Sequence, residues 1–189
     1  MNRALLLVAL LPASLSAQDT YVGVRAGRNM AQLPWDRMRS GPAIGVFTQT
    51  RVSEHVGLEW GVDWMRSAVG DLDPSSVSPP PVGQPEYLTT DLVARISAAR
   101  SFFDAFRITL GAAAFGGGWL GGRIGGHLRA ADPRRLDFGQ AWGVSLFAIR
   151  KAVKLEASLR AYHGEREIWE GGPRQRGSRA LIGIAYRIR

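Results

Sequence analysis

Apolar residues in this chain recur at every second position, not with the three-to-four spacing of a helix. In residues 56–65 the even positions are Val56, Leu58, Trp60, Val62 and Trp64, and the odd ones are Gly57, Glu59, Gly61, Asp63 and Met65. Successive side chains of an extended strand point to opposite faces, so this segment predicts a strand with one apolar face and one small or charged face. The same division separates Leu88, Thr90, Leu92, Ala94 and Ile96 from Thr89, Asp91, Val93, Arg95 and Ser97. It returns as Val153, Leu155, Ala157, Leu159 and Ala161 against Lys154, Glu156, Ser158, Arg160 and Tyr162. Fainter copies occupy residues 20–27, 43–52, 106–115, 137–149 and 178–188, which brings the predicted strands to eight.

These strands run about nine to twelve residues, enough for a tilted strand to cross hydrocarbon and longer than the ~5–6 usual in soluble sheets. Their connections alternate in length. Residues 53–55, 99–105 and 150–152 make short turns, whereas 28–42, 68–86, 116–136 and 164–177 are long. An up-and-down barrel with both termini on the periplasmic side sends odd connections outward and even ones inward, and so produces this alternation. Residues 73–85, with Pro74, Pro79, Pro80, Pro81 and Pro85, suit neither strand nor helix and are expected as a mobile external loop. The Gly-rich stretch from Gly116 to Gly126 is expected as a flexible hairpin tip. The fold class is therefore all-β: an antiparallel up-and-down transmembrane barrel of about eight strands.

Residues 1–17 stand apart, because Arg3 is followed by an apolar stretch from Ala4 to Leu11 and then by Pro12 and small residues up to Ala17. That pattern predicts a signal peptide cleaved after Ala17, or after Ser16 with Ser14 at the −3 position, leaving residues 18–189 as one barrel domain. The apolar run is far below the ~20 residues a membrane-spanning helix needs. With no cysteine in the chain, disulfide frameworks and thiolate metal sites are excluded. The formal net charge is +8, yet the cations are scattered singly and form no basic helix, which points away from nucleic acid. For an exported barrel the acidic partner expected is lipopolysaccharide phosphate, met by Arg123, Arg129, Arg134 and Arg135.

A closed barrel in lipid satisfies every backbone polar group and fixes the two faces. Trp60, Trp64, Leu92, Ile96, Ile108, Leu110, Trp142, Leu146, Leu155, Leu159, Ile182 and Ile184 are expected to face lipid. The lumen is expected to hold a charge network of Glu59, Asp63, Asp91, Arg95, Arg107, Lys154, Glu156 and Arg160, with Arg25, Asp137 and Arg187 also pointing inward. Gly23, Gly45, Gly57, Gly61, Gly111, Gly139, Gly143 and Gly183 share that face and make room for long side chains. Eight strands leave space only for side chains, so the lumen is expected to be plugged. Tyr87, Trp64, Trp119 and Trp169 are expected at the external membrane boundary, and Phe102, Phe103, Phe106 and Tyr186 at the periplasmic one. A narrow porin-like channel and a soluble, exported, lipocalin-like carrier are the alternatives.

On these features the chain resembles the small outer-membrane β-barrel family of OmpA-type and PorT-type barrels. Gly183, Tyr186 and Ile188 follow the Gly-x-x-aromatic-x-hydrophobic spacing that the family's barrel-assembly machinery reads, although Arg189 stands where the family usually ends on Phe. The resemblance implies a monomeric outer-membrane barrel with a structural or surface-binding role and no cofactor. His163, with Glu165 and Glu167 nearby and Ser178 across a loop, offers the residue types of a Ser-His-Glu hydrolase site. The residue two after His163 is Glu165, where lipid A deacylase barrels carry a serine, so no catalytic residue is assigned. Asp71 and Asp73 lack the oxygen ligands of a calcium loop, the three histidines are scattered, and no metal site is assigned.

Overall fold

The computed structural model describes residues 19–32, 39–66, 86–102, 107–125, 136–167 and 174–188. They form eight strands: β1 (Thr20–Gln32), β2 (Arg39–Arg51), β3 (Val56–Arg66), β4 (Glu86–Phe102), β5 (Ile108–Gly125), β6 (Leu136–Arg150), β7 (Val153–Glu167) and β8 (Arg174–Arg187). Each pairs antiparallel with the next. β1 also pairs with β8, from Tyr21↔Arg187 to Gln32↔Arg176, which closes the sheet into a barrel. Beyond the last β1–β8 rung, the Ile188 amide still donates to the Thr20 carbonyl at 2.9 Å.

Alternation assigns the faces as the sequence predicts, and the result is an inside-out protein. Ile96 and Leu146 are each 68% exposed and Ile182 is 72% exposed, whereas Glu59 is fully buried and Asp63 and Arg160 are 1% exposed. Leu92, Trp60, Trp142, Leu155, Leu159 and Ile184 also lie on the outer face, and Trp64 and Ile108 are partly covered there. A soluble barrel reverses this arrangement; an apolar belt around a polar lumen is the surface a bilayer solvates. Polar atoms on the belt pair with one another, as the Trp60 indole N–H does in donating to the Thr90 hydroxyl at 2.9 Å.

The strands extend beyond their predicted ends on the long-connection side. β1 reaches Gln32, β2 begins at Arg39, β7 reaches Glu167 and β8 begins at Arg174. The largest correction concerns the Gly-rich stretch. Gly116, Gly117, Gly118, Gly121, Gly122 and Gly125 are not a hairpin tip but part of β5, paired with β4 on one side and, as far as Gly122, with β6 on the other. Their lack of side chains hides the alternation, and Trp119, predicted at the external boundary, is consequently drawn into the lumen at 4% exposure. Tyr87, also predicted at that boundary, packs against the buried cluster of Ala43, Met65 and Leu181.

At the opposite end β4 continues to Phe102 and β5 starts only at Ile108. Arg107 therefore does not join the lumen network predicted for it: it is an exposed turn residue with φ 52°. Its parity suits an inward position, but the strand begins one residue too late. Lys151 likewise takes φ 55° in the two-residue turn between β6 and β7. Neither is glycine, and a left-handed backbone costs an L-residue ~1–2 kcal/mol. Arg187 shares the inward parity of Ala185 but ends exposed at the rim, 3.3 Å from Asp19. Asp137, also predicted inward, is half-buried. Residues 1–17, the Pro-rich residues 73–85, and Phe103, Phe106 and Trp169 lie outside the described residues, as does the side chain of Phe102.

β5 supplies a test of strand against loop. A Cβ on Gly117 would run into the Leu92 carbonyl and lie 2.7 Å from the Val93 Cα, whereas one on Gly118 would meet only the Gly139 carbonyl at 3.8 Å. We expect Gly117→Ala to cost more than ~1 kcal/mol by overpacking. Gly118→Ala should stabilise the barrel by ~0.5 kcal/mol through reduced freedom of the unfolded chain. Urea unfolding of the two variants in lipid vesicles reads the difference; equal tolerance at both sites would return the stretch to a loop.

Candidate functional site

The interior of the barrel concentrates the chain's unusual chemistry. Five buried cations, Arg25, Arg95, Lys154, Arg160 and Arg179, share the lumen with four buried carboxylates, Glu59, Asp63, Asp91 and Glu156. Their placement follows from register. Arg25 on β1 pairs with Gly45 and Gly183, Arg95 with Gly57, Phe115 with Gly143, and Asp91 with Gly61. Each long side chain thus leans over a neighbouring strand that carries none. A Cβ on Gly61 would strike the Arg25 guanidinium, and one on Gly143 would lie 2.7 Å from the Phe115 ring.

Arg25 is the hub. Its Nε and Nη2 donate to both oxygens of Asp63 at 2.7 and 2.9 Å, Nη1 donates to Glu59 at 2.7 Å, and Nη2 also reaches Asp91 at 3.1 Å. Arg160 donates to Asp91 at 2.6 Å and to Glu59, while Arg179 donates to Asp63 at 2.7 Å. Toward the short turns, Arg95 grips both oxygens of Glu156 at 2.9 and 3.0 Å, and also donates to Ser145 and Glu59. The Lys154 ammonium donates to the Gln49 carbonyl at 2.5 Å and lies 2.8 Å from Glu156, and the Gln49 amide returns bonds to Glu59 and Glu156. Planar guanidinium forks suit such bidentate pairing, and carboxylates shared between cations give every buried cation an acidic partner.

Aromatic rings complete the plug. Arg25 stands 5.5 Å over Phe47, Arg95 and Arg160 stand 5.5 and 4.7 Å from Phe115, Lys154 stands 4.4 Å from Phe147, and Arg179 stands 3.9 Å from Tyr162. Each buried cation therefore has both a carboxylate and a π face. Two buried apolar clusters pack among the charged side chains, one of Val93, Phe115, Trp119, Ala141 and Tyr162 and one of Tyr21, Phe47 and Ala185. Within it the residual void among Arg25, Glu156, Arg160 and Leu181 is only about 10 Å³, no more than a single water requires. Below it a vestibule of about 250 Å³ opens at the short-turn end and ends on Lys154 and Arg95. The charged layer therefore fills the lumen between these two voids.

Of the network predicted from sequence, Glu59, Asp63, Asp91, Arg95, Lys154, Glu156 and Arg160 meet in this layer, and Arg107 does not. Arg25, predicted inward, is central. Arg179 and Gln49 were missed, as were the inward rings of Phe47, Phe115 and Phe147, whereas Tyr162 lies inward on the face it shares with Lys154 and Arg160. Parity alone could have found the others: Arg179 is in phase with Gly183, Gln49 and Phe47 with Gly45, Phe115 with Gly111, and Phe147 with Gly143. Among the other assigned residues, Gly183 is buried while Tyr186 and Ile188 are exposed at the barrel's short-turn end. The backbone of Arg123 lies in β5, and Arg129, Arg134 and Arg135 lie outside the described residues. Register pairs His163 with Arg176 and Ser178 with Ala161, and among the described residues no three His, Asp or Glu side chains converge as a metal site.

With one more cation than carboxylates, the layer should tolerate loss of a cation better than loss of an acid. Glu156→Gln is expected to cost ~3 kcal/mol, the penalty of leaving buried charge uncompensated. Lys154→Met should cost less, because Glu156 keeps the Arg95 fork, and Glu156→Gln combined with Lys154→Met should be more stable than Glu156→Gln alone. Urea unfolding of the three variants in vesicles measures this order; its reversal would mean that the layer is not electrostatically balanced.

No known protein family matches the chain, and no curated protein matches it. Solved structures do. Ail, the attachment invasion locus protein of Yersinia pestis, aligns over 90% of this chain and 98% of its own, with TM-score 0.53 and 11% identity. Neisserial surface protein A (NspA) aligns over 88% and 96% with TM-score 0.52 and 14% identity. The outer membrane protein OprG of Pseudomonas aeruginosa aligns over 91% and 97% with TM-score 0.56 and 9% identity. With eight strands closed into one barrel, this chain has the fold of the small outer-membrane β-barrels.

Proposed function

We propose that the chain is a monomeric, non-catalytic, integral protein of the bacterial outer membrane that binds at its outer surface and conducts nothing. The observation that carries this reading is the inside-out barrel: large apolar residues on the outer belt, and nine ionisable side chains locked together in the lumen. A diffusion pore needs a wet path, and the vestibule that ends on Lys154 and Arg95 supplies none. The external connections then carry the activity. Arg123, Arg129, Arg134 and Arg135 would hold lipopolysaccharide phosphates through guanidinium forks, with Asp132 the one acid between Arg129 and Arg134. Ail, a barrel of the same fold, has been crystallised with the heparin analogue sucrose octasulfate, and binding of a clustered polyanion by such a scaffold supports the reading. Gly183, Tyr186 and Ile188 would present the final strand to the assembly machinery.

Purified protein in a planar bilayer is expected to show no steady conductance, and a stable open channel would return the narrow-pore alternative. Replacing Arg123, Arg129, Arg134 and Arg135 together by Gln should weaken binding to lipopolysaccharide and flatten its salt dependence, as loss of phosphate contacts does. Unchanged binding by isothermal titration would remove these arginines from the interface.

A further inference from the structure

Charge in the lumen is not shared evenly along its length. Arg25, Arg160 and Arg179 are matched one for one by Glu59, Asp91 and Asp63, at 2.7, 2.6 and 2.7 Å. Nearer the short turns Arg95 and Lys154 share Glu156, and Arg95 otherwise leans on Glu59, whose charge the first group already uses. The surplus positive charge of the layer therefore falls on the two cations that floor the vestibule of about 250 Å³. An ammonium has three donors. For Lys154, Gln49 and Glu156 offer acceptors to two of them, at 2.5 and 2.8 Å, and its other contacts among the described residues are the faces of Phe147 and Tyr21. One proton is thus left without an oxygen acceptor.

The same imbalance recurs at the mouth. Arg51 and Arg187 stand 3.6 and 3.3 Å from Asp19 and share that single carboxylate. Two further bonds from Arg51 go to the backbone carbonyls of Ser53 and Glu54, which carry no charge. Among the described residues lining the vestibule, Arg51, Arg95, Lys154 and Arg187 are cations and Asp19 is the one acid. Tyr21, Phe147 and Ile149 form part of the walls. A cleft of one charge sign between low-dielectric walls focuses its field on whatever enters. One surplus charge at the floor and one at the mouth together suit a guest that carries two negative charges.

We propose that the vestibule is a binding site for a phosphate dianion, free or carried by a small phosphomonoester, held between Lys154 and Arg95 at the floor and Arg51 and Arg187 at the mouth. Guanidinium forks match phosphate oxygens, and the lysine adds a point charge. At about 250 Å³ the space falls below the ~300–1,000 Å³ of pockets for drug-sized ligands and suits a group of a few heavy atoms. The charged layer stops the guest at the floor, so the barrel holds the anion without passing it. Asp19 competes with the guest for the two arginines of the mouth. On the membrane reading above the vestibule opens to the periplasm; the site itself depends only on the closed barrel.

The full chain, refolded in detergent micelles, is titrated with inorganic phosphate above its second ionisation, with glycerol 3-phosphate, and with chloride at matched ionic strength. Isothermal titration is expected to show one saturable site for both phosphates and at least tenfold weaker binding of chloride. Lys154→Met should weaken phosphate binding at least tenfold, the worth of one hydrogen bond to a charged group. Arg51→Gln with Arg187→Gln, which leaves the lumen layer untouched, should weaken it as well. Asp19→Asn should strengthen it, because the competing carboxylate is gone, and a folding defect cannot produce a gain. Phosphate that does not bind the native barrel, chloride that binds equally well, or an affinity that neither Lys154→Met nor the arginine pair lowers overturns the proposal. So does weaker binding by Asp19→Asn. The micelle experiment reads the site alone: a barrel that binds phosphate there but does not insert into vesicles refutes the membrane reading and not the site.

Discussion

Pairing of β1 with β8 is the constraint on which everything else depends. An open sheet of strands this long would present two edges of unsatisfied amide and carbonyl groups, which neither lipid nor a monodisperse solution tolerates. Closure removes both edges and at once fixes a small radius. In an eight-stranded barrel that radius admits side chains and little more. Glycines opposite Arg25, Arg95 and Phe115 make room on one side of each, so that other long residues, such as Arg95 with Phe115 and Arg160 with Arg179, can share a register position on adjacent strands.

A tube lined by charge must also be neutral, or nearly so, at every level. Here the requirement is met by sharing: Glu59 accepts from Arg25, Arg95, Arg160 and Gln49, and Asp63 from Arg25 and Arg179. Aromatic faces supply the remaining solvation that water would give outside. Replacing such a layer by apolar side chains is often neutral for stability, so its presence argues for something other than stability alone. Contacts running between β1, β3, β4, β6, β7 and β8 tie strands that are distant in sequence, and a charge out of place is heavily penalised. Fixing one register around the barrel is the role that follows.

The two ends of the molecule divide the remaining work. Long connections leave from one end and short turns from the other, with the belt between them matched to hydrocarbon. Barrels such as Ail, NspA and OprG share the fold at 9–14% identity. Sequence identity that low persists because the frame asks only for alternation, length and a filled interior.

Alternation is a local property, so the sequence by itself determined that β3, β4 and β7 exist, which of their faces meets lipid, and that Glu59, Asp91, Arg95, Glu156 and Arg160 turn inward. It also determined the up-and-down order, through the lengths of the connections. Where glycine replaced side chains the signal failed, and β5 was cut short at Phe115, which misplaced Trp119. Strand ends were equally illegible: Arg107 has the parity of a lumen residue, and only the start of β5 at Ile108 excludes it. The tertiary structure alone decided the partners. Whether Glu156 meets Arg95 or Arg160, and whether Arg179 reaches Asp63 across the barrel, depends on the register of strands up to 116 residues apart. Closure sets that register all at once, and no local stretch of sequence contains it.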